Sequence, residues 1–102
     1  MVEKADSENF DSILQSEETV LADFYSETCI PCRRMSPVFT ELDQKLGSRF
    51  KAVKVNVNSE SGLAGRYGVM AVPTFILFKN GEEVSRIVGA VEQETLEELI
   101  TQ

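Results

Sequence analysis

The two cysteines of the chain stand three apart, in Cys29-Ile30-Pro31-Cys32. At this spacing two sulfurs can close a small disulfide ring across the first turn of a helix. The chemistry on offer is thiol–disulfide exchange. Cys29 would sit where the free backbone N–H groups and the positive end of the helix dipole point. Both favour a thiolate, so its pKa is expected below the ~8.5 of a free cysteine. Each tenfold gain in acidity corresponds to about 1.4 kcal/mol in favour of the anion. Pro31 suits the first helical turn, where its missing N–H leaves nothing unpaired. The two thiols then differ: Cys29 is exposed and attacks, and Cys32, further into the helix, resolves. Other uses of the pair are zinc ligation, a metal cluster shared between two chains, or an inert core position. With two cysteines and no histidine the chain lacks the four ligands of a structural zinc site, so no metal is expected.

Asp23 lies inside an apolar run, where a carboxylate is unfavourable unless paired or protonated. It should face the base of the helix that begins at the cysteines, and burial there would raise its pKa towards neutrality. A structural carboxylate paired with Lys54 is the plainer reading. Pro73 follows a β-branched residue and precedes a strand, where an ordinary strand-start proline also fits. Arg33 and Arg34 add positive charge beside the motif, or simply form a solvated helix face. Glu92, Glu94, Glu97 and Glu98 read as such a face.

The elements that must position these groups alternate in type. Residues 2–5 suggest a short edge strand, and Asp6 or Ser7 a cap for a helix carrying Phe10, Ile13 and Leu14. Residues 19–25 form a near-continuous apolar run, as in a central strand buried on both faces. From Pro31 to Leu46, Met35, Val38, Phe39, Leu42 and Leu46 recur at helical spacing, with Pro37 expected to kink the helix and Gly47 to end it. Residues 50–57 predict a strand with Val53, Val55 and Val57 on one face, and 59–67 a short helix ended by Gly68. Residues 74–79, Asn80-Gly81 and 83–88 predict a hairpin, and Gly89 breaks its second strand. The last helix, about 92–101, should bury Leu96, Leu99 and Ile100. Helix-linked strands imply parallel pairing and the hairpin adds antiparallel pairing. The fold class is therefore α/β: a mixed sheet with helices on both faces.

The bulk properties agree. One domain of 102 residues is expected, with 42% hydrophobic and 26% charged residues, ordinary for a globular chain. A net charge of −7 disfavours nucleic acid and anionic membranes as partners. The opening MVEKADSENF has neither the basic nor the apolar region of a signal peptide, and no run is long enough to span a membrane. A cytoplasmic protein is expected.

Taken together, residues 22–32 (ADFYSETCIPC) resemble the active-site strand and loop of the thioredoxin family. Val72-Pro73-Thr74 resembles its loop with a cis-proline. Phe78-Lys79-Asn80-Gly81 and Val88-Gly89-Ala90 resemble its final hairpin and the glycine beyond it. The resemblance spans nearly the whole chain. It implies the thioredoxin fold, with a mixed five-stranded sheet between four helices, and a protein-disulfide reductase acting as a monomer without a bound cofactor. Cys29 and Cys32 would form the redox disulfide. Asp23 would exchange a proton with Cys32, with Lys54 as its neighbour. A cis Val72–Pro73 peptide would pack against the cysteines, and Thr28, Ile30, Val72, Gly89 and Ala90 would line the substrate groove. Partners would be protein disulfides and an upstream thioredoxin reductase. Thr28 and Ile30 stand where the family typically has tryptophan and glycine, and Tyr25 where it has tryptophan. These departures leave the chemistry in place and bear on partner choice and redox potential. The rival readings are a net oxidant or isomerase, and a non-catalytic interaction module on the same scaffold.

Overall fold

The computed structural model describes residues 1–102. Its elements run β1 (Glu3–Lys4), α1 (Phe10–Ser16), β2 (Thr19–Tyr25), α2 (Ile30–Leu46), β3 (Lys51–Asn56), α3 (Ser61–Arg66), β4 (Thr74–Lys79), β5 (Glu82–Val88) and α4 (Gln93–Thr101). The sheet order is β1-β3-β2-β4-β5. β3 pairs parallel with β1 and β2, while β4 pairs antiparallel with β2 and β5. This is the mixed five-stranded sheet with four helices expected for the thioredoxin fold.

β2 is central because it can be. Its residues 20–24 are buried on both faces, and strands flank it on both sides. Alternation along the strand divides the interior in two. Val20, Ala22 and Phe24 join Phe10, Ile13, Leu14, Leu63 and Phe78 in one core, under α1 and α3. Leu21 joins Met35, Phe39, Leu42, Phe75, Leu77, Leu96 and Ile100 in the other, under α2 and α4. The stripe Cys32, Met35, Phe39 and Leu42 is the buried face of α2, at the spacing one side of a helix requires. The helix is continuous through Pro37. Leu99 is only half-buried, whereas Leu96 and Ile100 are buried.

Some boundaries differ from expectation for local reasons. Asp6 does not cap α1 directly. Its carboxylate accepts the N–H groups of Glu8 and Asn9, both at 2.9 Å, forming a turn, and the helix starts at Phe10. Ser7 plays no capping part; its N–H donates to Glu60. α3 begins at Ser61 rather than Ser59, because Asn58 N–H bonds the Asn56 side chain in a tight turn. At the hairpin, Asn80 and Gly81 take φ of 53° and 85°, the left-handed pair that a two-residue turn between twisted strands requires. Further along, Leu77 pairs with Ser85 but Phe78 with Glu83, so Val84 is the extra residue of a bulge in the edge strand.

Candidate functional site

The site stands where β2 ends and α2 begins. Cys29 is the N-cap of α2, and its sulfur accepts the Cys32 N–H at 3.2 Å. The two cysteines are joined in a disulfide, with Cα atoms 5.2 Å apart. Cys29 is half-buried, while Cys32 is 4% exposed. The Val72 carbonyl oxygen is 3.7 Å from the Cys29 sulfur. The Val72–Pro73 peptide is cis, and the Pro73 carbonyl accepts the Gly89 N–H at 2.8 Å. Gly89 has a φ of +100°, which a side chain would disfavour. The structure thus brings Cys29, Cys32, Val72, Pro73 and Gly89 to one end of the sheet. Thr28, Ile30 and Ala90 lie exposed on the segments flanking them.

Asp23 lines the same recess as Cys32; it is 4% exposed, and one carboxylate oxygen lacks any hydrogen-bond partner. Burial pushes its pKa up to about 7, against the opposing field of the Lys54 ammonium. Lys54 faces Asp23 across the β2–β3 register. It forms no ion pair with Asp23, however. Its ammonium is held 5.2 Å from the centre of the Tyr25 ring, over its face. Lys54 is the expected neighbour of Asp23 and acts on it through space; the alternative of a direct ion pair does not form, and the Tyr25 ring takes the ammonium's contact. A recess of about 310 Å³ reaches Asp23 and Cys32 from solvent, between Ser26, Arg33, Ser36 and Lys54. A carboxyl that titrates near neutrality, beside a buried sulfur and open to water, can take up and return a proton.

Several residues of the site were not legible in the sequence. Ser26, 7% exposed, shares its hydroxyl with Thr28 Oγ at 3.1 Å and accepts the Asn58 amide at 3.0 Å. Its carbonyl accepts the Cys29 N–H. Asn56 donates to the Glu27 carboxylate, and Arg33 Nε donates to the Glu27 carbonyl at 3.0 Å. The loop that presents Cys29 is therefore tied to the β3–α3 turn and to α2. Arg33 is partly committed to this role. Glu97, expected on a solvated face, pairs with Lys45 at 3.0 Å and links α4 to α2. No group of three or more metal-ligating side chains is gathered anywhere in the structure, and no helix is long and apolar enough to cross a membrane.

Comparison with known proteins agrees with this geometry. The thioredoxin family profile matches residues 1–102. Thioredoxin of Bacillus subtilis is 44% identical over 97 residues, which span 95% of this chain and 92% of that one. The chloroplastic thioredoxin M4 of Arabidopsis thaliana is 41% identical over 94% of this chain and 50% of its own. Among solved structures, a mutant thioredoxin from Halobacterium salinarum superposes with a TM-score of 0.91 at 33% identity, covering 97% of this chain and 87% of that one. With its close cysteine pair at the start of α2, the chain belongs to the thioredoxin family of thiol–disulfide oxidoreductases, enzymes that reduce protein disulfides.

Proposed function

We propose that the chain is a cytoplasmic dithiol reductant in which Cys29 is the nucleophile, Cys32 the resolving thiol and Asp23 the proton acceptor for Cys32. The observation that carries this reading is the asymmetry of the pair: a half-buried cysteine at the helix cap, and a buried one that shares its recess with a carboxylate carrying an unpartnered oxygen. In the reduced protein the Cys32 N–H directed at Cys29 favours a thiolate there. That thiolate attacks one sulfur of a substrate disulfide. A Cys29–substrate bond forms, and the other substrate sulfur leaves and takes a proton. Cys32 then passes its proton to Asp23 and attacks the Cys29 sulfur. The intramolecular disulfide closes, the second substrate thiol is released, and two electrons have passed to the substrate. Lys54 steadies the ionised carboxylate of Asp23 before it takes the proton. The Val72 backbone, beside Cys29, is placed to hold an extended substrate segment. An upstream reductase of the thioredoxin reductase kind restores the dithiol. Thr28 and Ile30 narrow the choice of partner, which favours a dedicated substrate over general service.

The test is insulin reduction by the parent, Cys29→Ser and Cys32→Ser, with non-reducing gel and mass analysis of trapped species. Cys32→Ser should accumulate a mixed disulfide through Cys29, and Cys29→Ser none. Equal trapping through Cys32 would reverse the roles. Turnover by the parent with no trapping in either variant would remove the chemistry from this motif. Equilibration against glutathione buffers separates a reductant, with a low potential, from an oxidant, with a high one.

A further inference from the structure

Three large apolar side chains stand in solvent on the segments that meet at the disulfide: Ile30 (64% exposed), Met70 (97%) and Val88 (59%). Ile30 follows Cys29 directly. Met70 lies two residues before Val72, whose carbonyl touches the Cys29 sulfur. Val88 pairs with Thr74 and precedes Gly89, which bonds the Pro73 carbonyl. The chain has three methionines, and each meets a different environment. Met35 is buried in the core under α2. Met1 is exposed beside Asp43, away from the site. Met70 alone is both open to solvent and on the rim around Cys29.

We propose that Met70 is an oxidation-sensitive part of the docking rim, and that its conversion to the sulfoxide by hydrogen peroxide weakens the hold on protein disulfides while leaving the cysteine chemistry intact. The inference rests on the reading above, that the rim receives protein substrates. In the step, the thioether sulfur attacks one peroxide oxygen. A sulfur–oxygen bond forms, the O–O bond breaks, the sulfur loses two electrons and the peroxide leaves as water. An unbranched thioether adapts to varied apolar partners. The sulfoxide is polar, and its oxygen must shed water to dock against an apolar segment. While Cys29 and Cys32 are joined, neither offers a thiolate to the peroxide, so the modification can be confined to methionine.

The disulfide form is treated with hydrogen peroxide, oxidised methionines are located by mass analysis, and the cysteines are then reduced with dithiothreitol, which leaves sulfoxides in place. Insulin and a small aromatic disulfide are compared as substrates. Met1 and Met70 should oxidise and Met35 should be spared. KM for insulin should rise about fivefold, the loss of roughly one partly buried apolar side chain, with kcat and the rate on the small disulfide unchanged. In Met70→Leu, peroxide should no longer move KM even though Met1 still oxidises. The inference is overturned if Met70 resists oxidation, if KM for insulin stays constant, or if Met70→Leu shows the same rise. Untreated protein that reduces the small disulfide but not insulin would overturn the protein-substrate reading first, and this inference with it.

Discussion

On the α1/α3 side of the sheet, β2 contributes Val20, Ala22 and Phe24; on the α2/α4 side the same strand contributes Leu21 and then Asp23. The first side is sealed by rings. Phe10, Tyr67 and Phe78 meet edge-on with centroids 5.3–5.6 Å apart, and Phe24 joins at 6.4 Å from Phe10. The second side is equally apolar until it reaches the cysteines, where the alternation places a carboxylate in a buried position. One side holds the fold together. The other gives up some stability to bury a titrating group in the recess that Cys32 also lines.

The comparison can be broken most forcefully on the aromatic side. Phe24→Ala should destabilise the protein by about 3–5 kcal/mol, through lost burial and an unfilled cavity. The loss, followed by denaturant unfolding, should be the same at pH 5 and pH 8, because none of the buried members of that core carries a carboxyl, amine or imidazole group.

Asp23→Asn should act in the opposite direction and depend on pH. The folded-state pKa of Asp23 is raised from 3.8 to about 7, so the folded protein binds the extra proton between these values. Its contribution to stability is full below about pH 4 and is lost as pH rises through 7. The variant should therefore match the parent most closely at low pH. Above pH 7 it should be more stable by roughly 1–3 kcal/mol, the carboxylate penalty reduced by leaving a buried amide incompletely paired. Unfolding curves from pH 4 to 8.5 check this, and a gain independent of pH would contradict the assignment.

The fold was largely legible because its strongest signals are local. The apolar run of β2 and the Asn80-Gly81 turn specify their elements whatever surrounds them, and both appear as expected. The start of α1 was misplaced because an aspartate that caps a turn and one that caps a helix look alike in sequence; Asp6 does the former. In the site, the cysteines, Asp23 and Pro73 announce themselves by type and neighbours. Ser26 does not. Its partner Asn58 is 32 residues away and comes into reach only because β2 and β3 lie side by side in parallel. Lys54 is legible as the neighbour of Asp23, but its contact with the Tyr25 ring is not: residue type suggests a carboxylate partner, while the ammonium sits over the ring.

Ser26→Ala tests the part that was hidden. Removing the hydroxyl unpairs the Asn58 amide and frees the loop before Cys29. A loss of about 1 kcal/mol is expected, with a slower first attack on substrate and an unchanged release step, as read by stopped-flow. At the outer rim, Thr28→Trp combined with Ile30→Gly should leave both cores untouched. It should change stability by less than about 0.5 kcal/mol, as surface substitutions do. Reduction by a generic thioredoxin reductase should improve about two- to tenfold, the scale of one added aromatic contact. Equal rates would remove these two positions from the reductase contact.

The most direct test of Asp23 as the proton acceptor is the release rate from a preformed mixed disulfide on Cys29, measured against pH in the parent and in Asp23→Asn. In the parent, release should accelerate as pH rises through about 7, where the Asp23 carboxyl becomes able to accept the Cys32 proton. In Asp23→Asn that inflection should vanish, with release near neutral pH slower by at least about tenfold, the low end for loss of a general base. Superimposable profiles for the two proteins would contradict the account and leave Asp23 as a buried carboxylate without a part in the reaction.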